Sequence, residues 1–143
     1  MKVTIEQIKN AYETTKLLSF TGMEVSEINK VMDARSAMRP HYDAFKAFDE
    51  DVRNAHKPSE DDWNFLVEVE KKGLKNASPE ELIRHNELAI PYIAAINEAL
   101  APKLAEEVEI NVEKISKASV AVLLANNKPN LDTLEDLLTF LMP

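Results

Sequence analysis

Cysteine is absent, so this chain can build neither a disulfide framework nor a thiolate metal site. Glycine occurs only twice, as Gly22 and Gly73. Phosphate-cradling loops and dinucleotide fingerprints need several glycines close together, and both are excluded. Neither glycine stands beside a serine, which excludes a nucleophile elbow as well. Long apolar runs are missing too. The longest, Ala118–Ala125 and Leu88–Ile96, fall well short of the ~20 residues that span a bilayer. Neither has the polybasic face of a helix that lies on a membrane surface, so no membrane partner is expected. The N-terminus, Met1-Lys2-Val3-Thr4-Ile5-Glu6, reaches charge too soon for a secretory h-region, which points to the cytoplasm. Basic residues are outnumbered, 17 against 25 acidic, and the net charge of -8 argues against direct nucleic-acid binding.

What is present favours helix. Aromatics make up 6% of the 143 residues, while Ala, Leu, Glu and Lys are abundant. The length fits a single domain over residues 1–143, with a helical hairpin at 1–56, a helical middle at 59–105 and a strand plus C-terminal helix at 106–143. Thr4-Ile5-Glu6-Gln7 reads as a capping box, after which Ile5, Ile8, Tyr12 and Thr15 follow at helical spacing until Ser19-Phe20-Thr21-Gly22. A second helix is expected from Ser26 to Ala55. Its stripe of Ile28, Val31, Arg35, Met38, Tyr42, Phe45, Asp49 and Val52 alternates three and four, as in a heptad seam. Pro40 inside it predicts a bend near Ser36–Arg39. About 30 residues of helix measure ~45 Å, which favours an elongated antiparallel hairpin.

Ser59-Glu60-Asp61-Asp62 restarts helix with a cap and acids in the first turn, and Gly73 ends it. Ser78-Pro79-Glu80-Glu81 is the clearest helix start in the chain. The helix after it presents Leu82, Ala89 and Ile96 in one seven-residue series and Asn86, Ile93 and Leu100 in another, with Pro91 and Pro102 as possible interruptions. The period then changes. Val108, Ile110 and Val112 alternate with acidic and polar residues, giving a minor β element near 107–115. Such a strand must pair, either with Ser119–Leu124 or with its counterpart in a second subunit. Asn126–Asn130 reads as a turn, and Asp132-Thr133-Leu134-Glu135 as the cap of a last helix with Leu134, Leu137, Leu138 and Leu141 on one face. The fold class is therefore mostly α, with a minor β element.

Catalytic signals are weak. None of His41, His56 and His85 has a glutamate three residues before it, so the Glu-x-x-His pair of helical di-iron sites is absent. His85 follows Glu81 by four, which suggests a surface ion pair. Glu24-Val25-Ser26-Glu27 supplies half of a paired-carboxylate magnesium motif, but Glu50 is followed at the required spacing by Arg53. Glu106 and Glu109 have the interval, yet strand alternation would split them. Ser36 and His41 lie on different faces of their helix. No catalytic residue, metal ligand or cofactor is assigned, and the chain is read as non-enzymatic. Residues 36–70 concentrate acid, including Asp43, Asp49, Glu50, Asp51, Asp61 and Asp62. That concentration fits a solvated helix surface, or a decoy for another protein's basic groove.

The opening MKVTIEQIKNAYETTKLLSF, the long charged helix ending in FKAFDEDVRNA, and the EEVEINVEKIS strand before a leucine-rich tail together resemble small proteins encoded by tailed bacteriophages and prophages. The resemblance covers about the first 55 and last 40 residues. It implies a phage accessory or assembly protein, acting in the host cytoplasm or in the virion, and brings no catalytic residues with it. The expected function is protein–protein contact, with self-association into a homo-oligomer. Met38, Tyr42, Phe45, Phe48, Ile110, Val112, Leu137 and Leu141 are the candidate contact residues, and they fit an internal core equally well. The alternative is an inhibitor of a host defence protein, working through the acidic surface or an inter-subunit pocket.

Overall fold

Thr4 ends a strand and starts a helix. Its backbone closes β1 (Lys2–Thr4), while its hydroxyl accepts from the Gln7 N–H and the Gln7 side chain accepts from the Thr4 N–H. The box launches α1 (Ile5–Thr15) with no intervening loop. The computed structural model describes residues 1–128 and 131–143, the side chains of Leu131 and Asp132 excepted. The remaining elements are α2 (Val25–His56), α3 (Glu60–Lys72), a 3-10 turn (Leu74–Asn76), α4 (Pro79–Leu104), β2 (Glu107–Glu109), α5 (Lys117–Asn126) and α6 (Leu131–Leu141). The chain is thus mostly helical with one small sheet. Its residues group into two compact units, 1–46 with 103–143, and 47–102, whose limits fall inside α2 and α4.

In the first unit β1 and β2 pair antiparallel, with Lys2 opposite Glu109, Val3 opposite Val108 and Thr4 opposite Glu107. The Met1 ammonium meets Glu109 Oε1 at 2.7 Å, and Ile5 N–H donates to the Glu106 carbonyl at 3.0 Å. The sheet corrects two expectations. The partner strand is the chain's own N-terminus, and Ser119–Leu124 belongs to helix α5. Only 107–109 of the expected 107–115 is strand; backbone bonding continues for one more pair, Ile110 N–H donating to the Met1 carbonyl at 3.0 Å and the Met1 ammonium to the Ile110 carbonyl at 3.2 Å. Ile110 and Ile115 instead enter the core, with Val112 packed against it, from a segment without regular secondary structure.

That core holds Ile8 of α1, Val31 and Met38 of α2, Leu123 of α5, and Leu134, Leu137, Phe140 and Leu141 of α6, none of them reaching water. Helix α6 lies along α1, where Asn10 donates to Asp136 at 2.8 Å and Thr14 Oγ1 to the Thr133 carbonyl at 2.7 Å. The Asn127 side chain exchanges hydrogen bonds with both the N–H and the carbonyl of Ser19, fixing the loop after α1. Gly22 adopts φ +85°, but in the turn before α2, since α1 already stops at Thr15. The turn expected at Asn126–Asn130 and the cap at Asp132 fall partly on residues 129–132, outside the described residues and side chains.

All eight seam positions of α2 are buried or half-buried. Its two charged members are accommodated separately. The Arg35 guanidinium lies 5.3 Å from the Tyr12 ring centroid, and Asp49 accepts from Arg53 Nε at 2.9 Å. Tyr12 stacks on Tyr42 at 4.3 Å and accepts from Arg39 Nε at 3.2 Å. That bond, with Arg35 beside it, holds the Tyr12 phenol below its usual pKa of 10 against the opposing pull of burial. Pro40 does not end α2, and Pro91 and Pro102 do not end α4.

Candidate contact surface

The unit formed by residues 47–102 is built by two well-signalled helix starts. Ser59 Oγ accepts from Asp62 N–H, placing Glu60, Asp61 and Asp62 in the first turn of α3, where the helix dipole favours acids. Gly73, at φ +88°, ends that helix in a conformation that suits only glycine. Ser78 and Glu81 exchange hydrogen bonds at 3.1 Å each and start α4. Glu81 also takes Lys72 Nζ at 2.8 Å, and this ion pair, then the Ser78 N–H, lowers its carboxyl pKa.

His85 therefore does not pair with Glu81. It is buried, with Nε2 3.7 Å from Glu70 of α3. The expected surface ion pair fails because the Glu81 carboxylate is already held by Lys72 and its own helix start. Elsewhere α3 and α4 are joined by the Asp62–Arg84 ion pair at 3.1 Å, with the Arg84 guanidinium 4.1 Å from the Phe65 ring, and by Trp63 meeting Tyr92 edge-on at 5.7 Å.

Between these two helices lies a groove of about 160 Å³ walled by Trp63, Leu66, Val67, Ala89, Tyr92 and Ile93. Glu70 completes its lining. Beside it α4 leaves large aliphatic side chains in water, with Ile83 61%, Ile90 63% and Ile93 53% exposed. Scattered single apolar residues on a surface need no explanation. Three isoleucines on one helix, continuous with an aromatic-walled groove, form a patch of the kind that marks a contact site.

The candidate contact residues read from the sequence lie elsewhere. Met38, Tyr42, Phe45, Ile110, Leu137 and Leu141 are buried within the chain, while Phe48 and Val112 are half-buried. Of the two roles open to them, the six buried residues take the internal core, and Phe48 and Val112 stay partly exposed. The acidic set divides. Asp43, Glu50, Asp51 and Asp61 are exposed, Asp49 is buried against Arg53, and Asp62 is tied to Arg84. Three of the carboxylates weighed as metal ligands have other partners, while Glu24 and Glu50 are exposed. Glu27 serves the start of α5, Glu106 meets Lys103 at 2.9 Å, and Glu109 meets the N-terminus. Among the described residues no group of three or more potential ligands comes together, and no helix is long and apolar enough to cross a membrane.

Sequence reasoning missed Ile83 and Ile90 because it followed two other seven-residue series along α4. The signal was present. A helix with apolar residues beyond one stripe must bury or dock the excess, and Ile83 and Ile90 belong to neither series, while Ile93 of the second series is itself exposed. Comparison of the chain with protein-family models, with curated proteins and with solved structures gives no match.

Proposed function

We propose that this chain is a non-catalytic accessory or assembly protein that acts through protein–protein contacts, with the outward face of α4 as its contact surface. The exposure of Ile83, Ile90 and Ile93 carries the reading. Burying a whole isoleucine stabilises by about 1.5–3 kcal/mol, and these three leave more than half of their surface for a partner to cover. The phage setting rests on the resemblance of the first 55 and last 40 residues. A second subunit is not needed for the strand, which pairs with β1, or for the apolar C-terminal helix, which lies on α1.

The test is the double change Ile83→Glu with Ile90→Glu. The thermal midpoint should stay within about a degree of the parent, as for surface positions that serve no packing role. Any association that sedimentation detects should disappear. A midpoint lowered by several degrees would put these side chains in the service of the fold and overturn the reading. A second reading, in which acid alone blocks a basic groove on another protein, draws on the exposed Asp43, Glu50, Asp51 and Asp61. It separates cleanly, because added glutamates would preserve such binding.

A further inference from the structure

We infer that the groove between α3 and α4 receives one large apolar side chain from a basic amphipathic helix of a different protein. This rests on the reading of the α4 face as a contact surface and adds the chemistry of its occupant.

Size is the first argument. At about 160 Å³ the groove is smaller than the ~300–1,000 Å³ typical of small-molecule sites. It matches the ~150 Å³ that accepts a benzene ring. One phenylalanine or leucine side chain would fill it. Trp63 and Tyr92 supply the rigid aromatic walls that dominate binding at such anchor points.

The second argument is the ridge beside the groove. Ile83, Ile90 and Ile93 follow at intervals of seven and three, so they advance along one side of α4. The ten residue steps from Ile83 to Ile93 measure ~15 Å, or about three helical turns. A helix laid alongside would present its own apolar positions at matching spacing, the anchor entering the groove and its neighbours meeting the isoleucines.

Charge selects the partner. Residues 47–102 hold twelve acidic and six basic side chains, a balance of -6 out of the chain's -8. Three of those six bases are already paired, Arg53 with Asp49, Lys72 with Glu81 and Arg84 with Asp62. At the groove itself Glu70 is 72% exposed, and the one basic side chain within 4 Å of its carboxylate among the described residues is His85. Two copies of this unit facing each other would set acid against acid, which disfavours a second copy as the occupant. A lysine or arginine flanking the anchor would meet Glu70 directly.

Trp63 is the chain's sole tryptophan, so its fluorescence reports occupancy of the groove without a label. The full chain is titrated with a Lys/Leu amphipathic peptide of about four turns carrying one phenylalanine. Two controls are a Glu/Leu peptide with the same apolar face and a scrambled Lys/Leu peptide of identical composition. The expected result is a saturable change in Trp63 emission with the first peptide only. Binding should weaken about tenfold or more between roughly 0.05 M and 0.5 M salt. Glu70→Gln, at an exposed carboxylate, should weaken it, and Ala89→Leu, which fills the groove, should abolish it. Equal binding of either control, indifference to salt, or full binding by Ala89→Leu would overturn the proposal. If no peptide binds while Ile83→Glu with Ile90→Glu still abolishes an association seen by sedimentation, the partner class falls and the contact surface stands. If that double change alters only stability, both fall together.

Discussion

Glu27 projects from α2 and holds the beginning of α5. Its Oε2 accepts from the Ser116 N–H at 2.7 Å and its Oε1 from Lys30 Nζ at 2.9 Å. The Ser116 bond first, then Lys30, lower its pKa from the usual 4.5 to about 2. The native state therefore favours the ionised form. The resulting stability is fully present above pH 4.5 and is lost as pH falls toward 2. Glu27→Gln should flatten the acid limb of the stability profile across that window, measured by urea unfolding at a series of pH values. An unchanged slope would assign the acid sensitivity to other carboxylates. In sequence this residue looked like half of a metal motif. Its actual partner lies 89 positions later, and no local pattern encodes so distant a bond. His85 makes the same point, since spacing suggested Glu81 while packing gave it Glu70 from another helix.

Elements were far more legible than partners. The expected second helix, Ser26 to Ala55, differs from α2 by one residue at each end. The boxes at Thr4 and Ser78 and the stop at Gly73 all occur where the residues placed them. These signals are local, made by side chains that bond within three or four positions, and so survive any tertiary arrangement. The strand was legible for the opposite reason, a change of period, but its mate was not, because Lys2–Thr4 is too short to alternate visibly. The dual role of Thr4 makes it the element-scale test. Thr4→Ala removes the acceptor for the Gln7 N–H at 3.1 Å while leaving the strand backbone able to pair. A loss of about 1 kcal/mol is expected from the cap alone. Chemical denaturation should show it with an unchanged m-value, and a loss several times larger would mean that the β1–β2 pairing depends on the cap as well.

At the scale of the chain, composition favours helix and the caps and periodicity make the mostly helical fold legible, whereas the identity of its surface does not follow from pattern. A heptad seam states that a face is covered and is silent on whether a second subunit or the same chain covers it. Here Met38, Leu137 and Leu141 are covered from within, and the apolar excess surfaces on α4 instead. The two compact units each have an interior of their own, one centred on Ile8, Met38, Leu137 and Phe140, the other on Leu66, Val69, Ile96 and Leu100. A cavity cut into one interior should be felt mainly there. Leu137→Ala leaves a void among fully buried neighbours and should cost about 2–5 kcal/mol. Native-state amide exchange should then accelerate throughout α1, α5 and α6, while amides of α3 keep their protection. Trp63 lies in the other unit, so its emission should not move at temperatures where the α1 and α6 amides already exchange freely. Loss of protection in α3 to the same degree would show that α2, which runs through both units, binds them into one cooperative whole.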